Sequence, residues 1–176
     1  MININCDDDF LKKQIINLIH QKNFFFMDDY ANKFFFQLKF YQEENHLYCS
    51  IDDEQIKFKL PKNFQEILEK IYDFVSNKNI LLNNIKYYPL KQLMKDDVKS
   101  TLFTDIQNKI MIHLLLNLSS GVEKTELIKN IWPKDKDIFL NKLDTHLTNL
   151  KNQIYNDLNF DLKFSSKSGI LKLSIN

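Results

Sequence analysis

Apolar residues recur in this chain with more than one rhythm, and the clearest lies in residues 122–154. Leu143, Leu147, Leu150 and Ile154 step by four, three and four, which puts them on one face of a helix. Lys142, Thr145, His146, Asn149 and Asn152 fall on the opposite face, and each can donate or accept a hydrogen bond. The pattern predicts a helix over VEKTELIKNIW, a turn at PKDK and a second helix over residues 137–154. Gly121 precedes the first helix, and a short strand pair carrying Lys163, Lys167 and Gly169 follows the second. Helix, turn, helix and hairpin in that order make a winged helix, a shape that sets one helix in a DNA major groove.

Upstream the rhythm changes. Residues 1–6 alternate Ile and Asn, a strand signal. Asp7, Asp8 and Asp9 suit a helix N-cap and acidic first turn, and Leu11, Ile15, Leu18 and Ile19 follow at helical spacing to about Gln21. Phe24-Phe25-Phe26 and Phe34-Phe35-Phe36 predict buried strands or strand ends. Residues 46–50 and 55–60 predict a hairpin with Asp52-Asp53-Glu54 in its turn. Pro61 ends it, and Phe64, Ile67, Leu68, Ile71, Tyr72 and Val75 make an amphipathic helix. Residues 76–84 are polar and predict an inter-domain linker, and residues 85–98 a small hairpin. Thr104 should cap a helix with Ile106, Ile110, Leu114 and Leu118 inward. The expected fold class is α+β: a small α/β domain over residues 1–78, then a winged helix-turn-helix domain over residues 85–176.

Composition constrains function more than fold. Of 176 residues, 44% are apolar, with 15 Phe and 7 Tyr, enough for an aromatic core. The net charge is only +1, and residues 101–176 carry 10 Lys against 8 acidic residues, so a nucleic-acid site must be a local patch. The chain has no arginine; its 24 basic residues are all lysine. Guanine recognition by a bidentate guanidinium is therefore excluded, whereas Asn149 can pair with adenine and Thr145 can touch a thymine methyl. The first 120 residues lack glycine, which removes the usual phosphate-binding loops. Cys6 and Cys49 are too few for a disulfide framework or zinc site, and the four histidines share no ligand spacing, so no metal and no cofactor is expected. No run of about 18 apolar residues occurs and the start MININCDDDF lacks a signal-like pattern, so a cytoplasmic protein without a membrane partner is expected.

The same helical residues carry a family resemblance. Leu143-Asp144-Thr145-His146-Leu147-Thr148-Asn149-Leu150-Lys151 resembles the recognition helix of the OmpR/PhoB-type effector domain of response regulators. Val122-Glu123-Lys124-Thr125-Glu126-Leu127-Ile128-Lys129-Asn130-Ile131-Trp132 resembles the helix before it, and Phe103-Thr104-Asp105-Ile106 the start of its first helix. The resemblance spans about residues 80–176. It implies a transcription regulator that binds double-stranded DNA as a homodimer and contacts RNA polymerase. It makes Trp132 a core plug at the end of its helix. Two departures stand out: Thr148, Asn149 and Lys151 where the family offers arginine, and Gly169-Ile170 where its wing ends in Gly-Tyr. The first 75 residues are loosely similar to a phospho-receiver domain, through Asp7-Asp8 after a strand and Lys59-Leu60-Pro61 at a strand end. They are too short for a complete receiver and offer no assignable acceptor, with Asp28 and Asp29 the nearest candidates, so control by phosphorylation is not expected.

The chemistry has bland alternatives. The Asp7–Asp9 run could hold Mg²⁺, but a helix cap explains it better. His113 lies in an apolar helix as a near-core residue, and neither cysteine has a nearby base. No constellation of acid, base or metal ligands supports an enzyme. For DNA, Asp144, Thr145 and Asn149 are expected at base edges. Asn141, Lys142, His146, Thr148 and Lys151 are expected at phosphates, with Lys163, Lys167 and Lys172 along the wing. The rival function is a protein–protein interaction module on a winged-helix frame. The surface potential around residues 142–151 discriminates between them.

Overall fold

In the computed structural model, which describes residues 2–21, 36–133 and 140–175, the chain divides into two compact units, Met1–Lys78 and Asn79–Asn176.

The first unit runs β1 (Ile2–Cys6), α1 (Asp9–Gln21), β2 (Phe36–Glu43), β3 (His46–Ile51), β4 (Glu54–Lys59) and α2 (Phe64–Ser76). Its sheet has the order β1-β2-β3-β4, with β1 and β2 parallel and the other pairs antiparallel. Period two is plain in β2: Phe36, Leu38 and Phe40 are buried, while Lys39, Tyr41 and Glu43 are exposed. The Asp8 carboxylate accepts from the Leu11 amide at 2.9 Å, so the acidic run caps α1. Asn63 caps α2 by accepting from the Gln65 amide at 2.9 Å. Ile15, Leu38, Ile51, Phe58, Ile67 and Ile71 form the core. The expected strands at Phe24-Phe25-Phe26 and Phe34-Phe35, and Asp28 and Asp29, lie outside the described residues.

The second unit starts earlier than the sequence pattern suggests. β5 (Ile80–Leu82), β6 (Ile85–Tyr88), β7 (Leu93–Lys95) and β8 (Ser100–Leu102) form a four-stranded antiparallel sheet in chain order. The supposed linker thus contains a strand, and the supposed small hairpin is the middle of a meander. Strands of three or four residues are too short to display a period. The local signal is instead Asn83-Asn84 between paired Leu82 and Ile85, with Asn83 left-handed at φ 56°. Buried Tyr87 on β6 donates to the Asn108 side chain, which donates in turn to the Pro89 carbonyl at 3.0 Å.

Beyond the meander come α3 (Asp105–Leu116), β9 (Val122–Glu123), α4 (Lys124–Ile131), α5 (Leu140–Leu158), β10 (Leu162–Lys167) and β11 (Ile170–Ile175). Thr104 and Gln107 form a reciprocal capping box at the start of α3. Ile110 and Leu114 are buried as expected, but so are Met111, Ile112 and His113; Ile106 is half-buried, and Leu118 lies past the helix end, exposed. α3 is central rather than amphipathic, and it packs on α4, α5 and β11. Val122 and Glu123 are not helical as expected. They pair with Leu171 and Ile170, giving a small sheet ordered β10-β11-β9. The unit is a winged helix preceded by an antiparallel sheet.

Two glycines hold the wing. Gly121, at φ +77°, passes so close to β11 that a Cβ would meet Ile170 and Lys172 side-chain atoms at 2.7 Å and the Leu171 carbonyl at 2.8 Å. Gly169, at φ +80°, turns the hairpin in open space, and its carbonyl accepts from the Lys124 amide at 2.9 Å. Among the described residues, six others with side chains also take left-handed conformations: Glu44, Asp52, Asn83, Gln92, Asn159 and Ser168. No helix among the described residues is long and apolar enough to cross a membrane.

Candidate nucleic-acid interface

The exposed side of α5 follows from its buried side. Leu143, Leu147, Leu150 and Ile154 are all buried. Shifting that register by two residues rotates it by about 200°, onto the far side of the helix. The positions reached are Asn141, Thr145, Thr148 and Asn152, all exposed. Asn156, a further four residues on, is exposed as well, and Tyr155 beside it is 52% exposed. This polar line is the most outward part of the helix. Thr145 and Thr148 donate their hydroxyls back to the Asn141 and Asp144 carbonyls at 2.8 and 2.9 Å. Both residues remain exposed. Asn149 is exposed on one shoulder, and among the described residues nothing hydrogen-bonds its amide.

The other shoulder is occupied by ion pairs. Asp144 accepts from Lys124 of α4 at 2.8 Å, and Lys151 lies 3.5 Å from Asp161. The structure therefore gives Asp144 a role the sequence reading missed: it ties α5 to α4 rather than standing open at the outermost line. Lys151 is half-buried and shares its charge with a carboxylate, which weakens it as a phosphate ligand.

Trp132 also departs from expectation. It is the half-buried C-cap of α4, not a core plug. Its ring lies 5.4 Å from His146, and the Lys142 ammonium sits 5.0 Å above it. Ile131, one residue earlier, is the buried one. The apolar rhythm of α4 ends at Ile131, and the chain turns the indole toward the polar flank of α5. Burial, followed by the charge of Lys142, lowers the pKa of His146 from its ordinary value. At neutral pH His146 is thus an uncharged imidazole able to donate one hydrogen bond.

The wing presents its lysines on one side. Lys163 pairs with Ser174, Ser165 with Lys172 and Lys167 with Ile170, and opposed residues of an antiparallel pair share a face. Lys163, Lys167 and Lys172 are exposed on that face, while Leu162, Leu171 and Leu173 are buried on the other. Lys172 also donates to the Ser119 carbonyl at 3.3 Å.

A hydrogen-bond network fixes α5 from behind. Gln107 of α3 donates to Gln153 at 2.7 Å. Gln153 donates to Thr101 at 2.7 Å and to the Leu102 carbonyl at 2.8 Å, and Thr101 donates to Asp157 at 2.6 Å. α5 is thus held to α3 and to β8. Charge follows the same division: the second unit carries 14 Lys against 10 acidic residues, a balance of +4.

Of the expected contact residues, Asn141, Lys142, Thr145, Thr148 and Asn149 gather on the outward side of α5, His146 lies half-buried on its flank, and Lys163 and Lys167 lie on the wing. Asp144 and Lys151 form the ion-paired shoulder. Asn152, Lys124 and Tyr155 complete the surface and were not among the expected site residues. Asn152 was reachable from the four-three-four spacing. The Lys124–Asp144 pair spans 20 residues and left no local signal.

No family model and no curated protein matches the chain. Among solved structures it is similar to the DNA-binding domain of CadC from E. coli, with TM-score 0.49 and 12% identity over 57% of this chain and 95% of that one. It is also similar to the C-terminal domain of the nisin resistance regulator NsrR, a lantibiotic response regulator, with TM-score 0.44 and 23% identity over 55% of this chain and 96% of that one.

Proposed function

We propose that the second unit binds double-stranded DNA and that the chain regulates transcription. One observation carries the reading: a 19-residue helix presents Asn141, Thr145, Thr148 and Asn152 in a single outward line, with exposed lysines on the adjoining hairpin. In this reading the line enters the major groove, where amides favour adenine and threonine methyls favour thymine. Asn149 reads from the shoulder, Lys142 and His146 meet one phosphate strand, and Lys163 and Lys167 meet the neighbouring backbone. Asp144 keeps Lys124 in place. Binding as a homodimer to half-sites about 10 base pairs apart, and contact with RNA polymerase, belong to the same proposal. So does control without phosphoryl transfer, since Asp8 is used as a helix cap; acetyl phosphate should leave the mass of the protein unchanged.

Selection from random duplexes at two salt concentrations tests the proposal. The expected product is an A·T-rich site whose affinity falls as salt rises. If no sequence is enriched at either concentration, the winged helix serves as a protein–protein module instead, a role favoured by the ion-paired Asp144 and Lys151 shoulder.

A further inference from the structure

The first unit contains a cavity of about 510 Å³, within the usual range for small-molecule sites. It opens where β1 ends, beside parallel β2, the position at which open α/β sheets receive ligands. Phe40 and Leu47 from the sheet and Phe64 and Ile67 from α2 give it apolar walls. Phe10 stands at the rim, its ring 5.9 Å from that of Phe64 and 64% exposed. An aromatic ring that exposed, next to an apolar hollow, is surface that an occupant would cover. The polar rim is not neutral. Asp7 and Asp8 both line it, and the one ammonium among its described lining residues, Lys62, is held by Glu66 at 3.0 Å. With Asp8 engaged as the α1 cap and Lys62 paired, the exposed Asp7 carboxylate is the uncompensated side-chain charge among the described lining residues.

We propose that this cavity binds a small apolar amine, its aromatic or aliphatic body between Phe40, Leu47, Phe64 and Ile67 and its ammonium beside Asp7. The inference concerns the first unit alone and does not depend on DNA binding. Cys6 lies in the cavity wall and is partly exposed, whereas Cys49 is buried. Burial raises the pKa of both thiols, that of Cys49 up to about 12, but Cys49 is fully buried and Cys6 is partly exposed, so alkylation of the folded chain reports Cys6.

The test uses the full chain, iodoacetamide and two probes with the same ring and opposite charge, tryptamine and indole-3-propionate. Mass spectrometry follows Cys6 alkylation. A ligand present at about ten times its dissociation constant should slow the reaction about tenfold, because only the empty fraction reacts. Tryptamine is expected to protect and indole-3-propionate not to. Asp7→Lys, an exposed position outside the α1 cap, should cut tryptamine protection severalfold and let the carboxylate protect. Equal protection by both probes, protection by neither, or unchanged tryptamine protection in Asp7→Lys would overturn the proposal.

Discussion

The two units of this chain carry opposite charge. The first holds 10 Lys against 13 acidic residues, the second 14 against 10, so a chain of net +1 divides into −3 and +4. The first unit has a cavity with an acidic rim; the second has a polar, lysine-flanked outer surface. Both glycines belong to the second: Gly121 lets the chain pass close to β11, and Gly169 turns the wing in open space. The whole-chain balance left room for a nucleic-acid site only as a local patch. Split at the structural boundary, it describes one unit suited to anions and another suited to cations. An average over units of different chemistry hides both.

Four experiments would break or sharpen this contrast. The largest effect is expected from Leu143→Ala, which removes a fully buried side chain beneath the outward line of α5. It should cost about 2–5 kcal/mol. Trp132, the chain's one tryptophan, reports the second unit by fluorescence, and Cys49 reports the first by thiol trapping. If both transitions shift together in denaturant, the units do not unfold separately and the contrast loses its thermodynamic meaning.

Next is acid. Burial drives the pKa of His113 down to about 4, against 6.5 when exposed. Between those values the unfolded chain binds a proton that the folded chain refuses, so stability falls as pH drops through this window and levels off below it. The full loss is on the order of 3 kcal/mol, and it should appear in the Trp132 transition alone. His113→Leu should flatten the profile; an unchanged slope would move the acid sensitivity elsewhere.

Asn152→Ala should weaken binding to the selected duplex by about 1–3 kcal/mol and relax preference at one base pair, measured by anisotropy against single-base variants. Uniform weakening across all variants would demote Asn152 to a backbone contact. The smallest effect is expected for Lys167→Ala, on the wing. It should leave base preference intact and lower the slope of log affinity against log salt by about 0.9, one released counterion. A slope that stays put would take the wing out of the interface.

How much of this was legible depended on the length over which a pattern persists. α5 sustains one apolar stripe from Leu143 to Leu158, and its buried and exposed faces follow from spacing alone. The capping roles of Asp8 and Thr104 were local and equally readable. The meander was not: its strands are three or four residues long, and Asn83-Asn84 looks like linker until Leu82 is paired with Ile85. Trp132 follows buried Ile131, and nothing local tells which way a chain leaves the end of a helix. The Lys124–Asp144 and Gln153–Thr101 contacts join residues 20 and 52 apart, so they exist only after folding.

The left-handed turn residues leave room for engineering. Glu44, Gln92 and Ser168 hold φ between 50° and 53°, a conformation that costs an ordinary L residue roughly 1–2 kcal/mol and asparagine less. A chain so rich in asparagine has nonetheless left these three turns to other residues. Ser168 stands in the wing beside Lys167, but Glu44 and Gln92 lie outside the outward line of α5, the wing and the wall of the first unit's cavity. These two form a reserve of stability that can be drawn on without touching either surface, which is useful when a destabilising variant of α5 must still be folded well enough to measure.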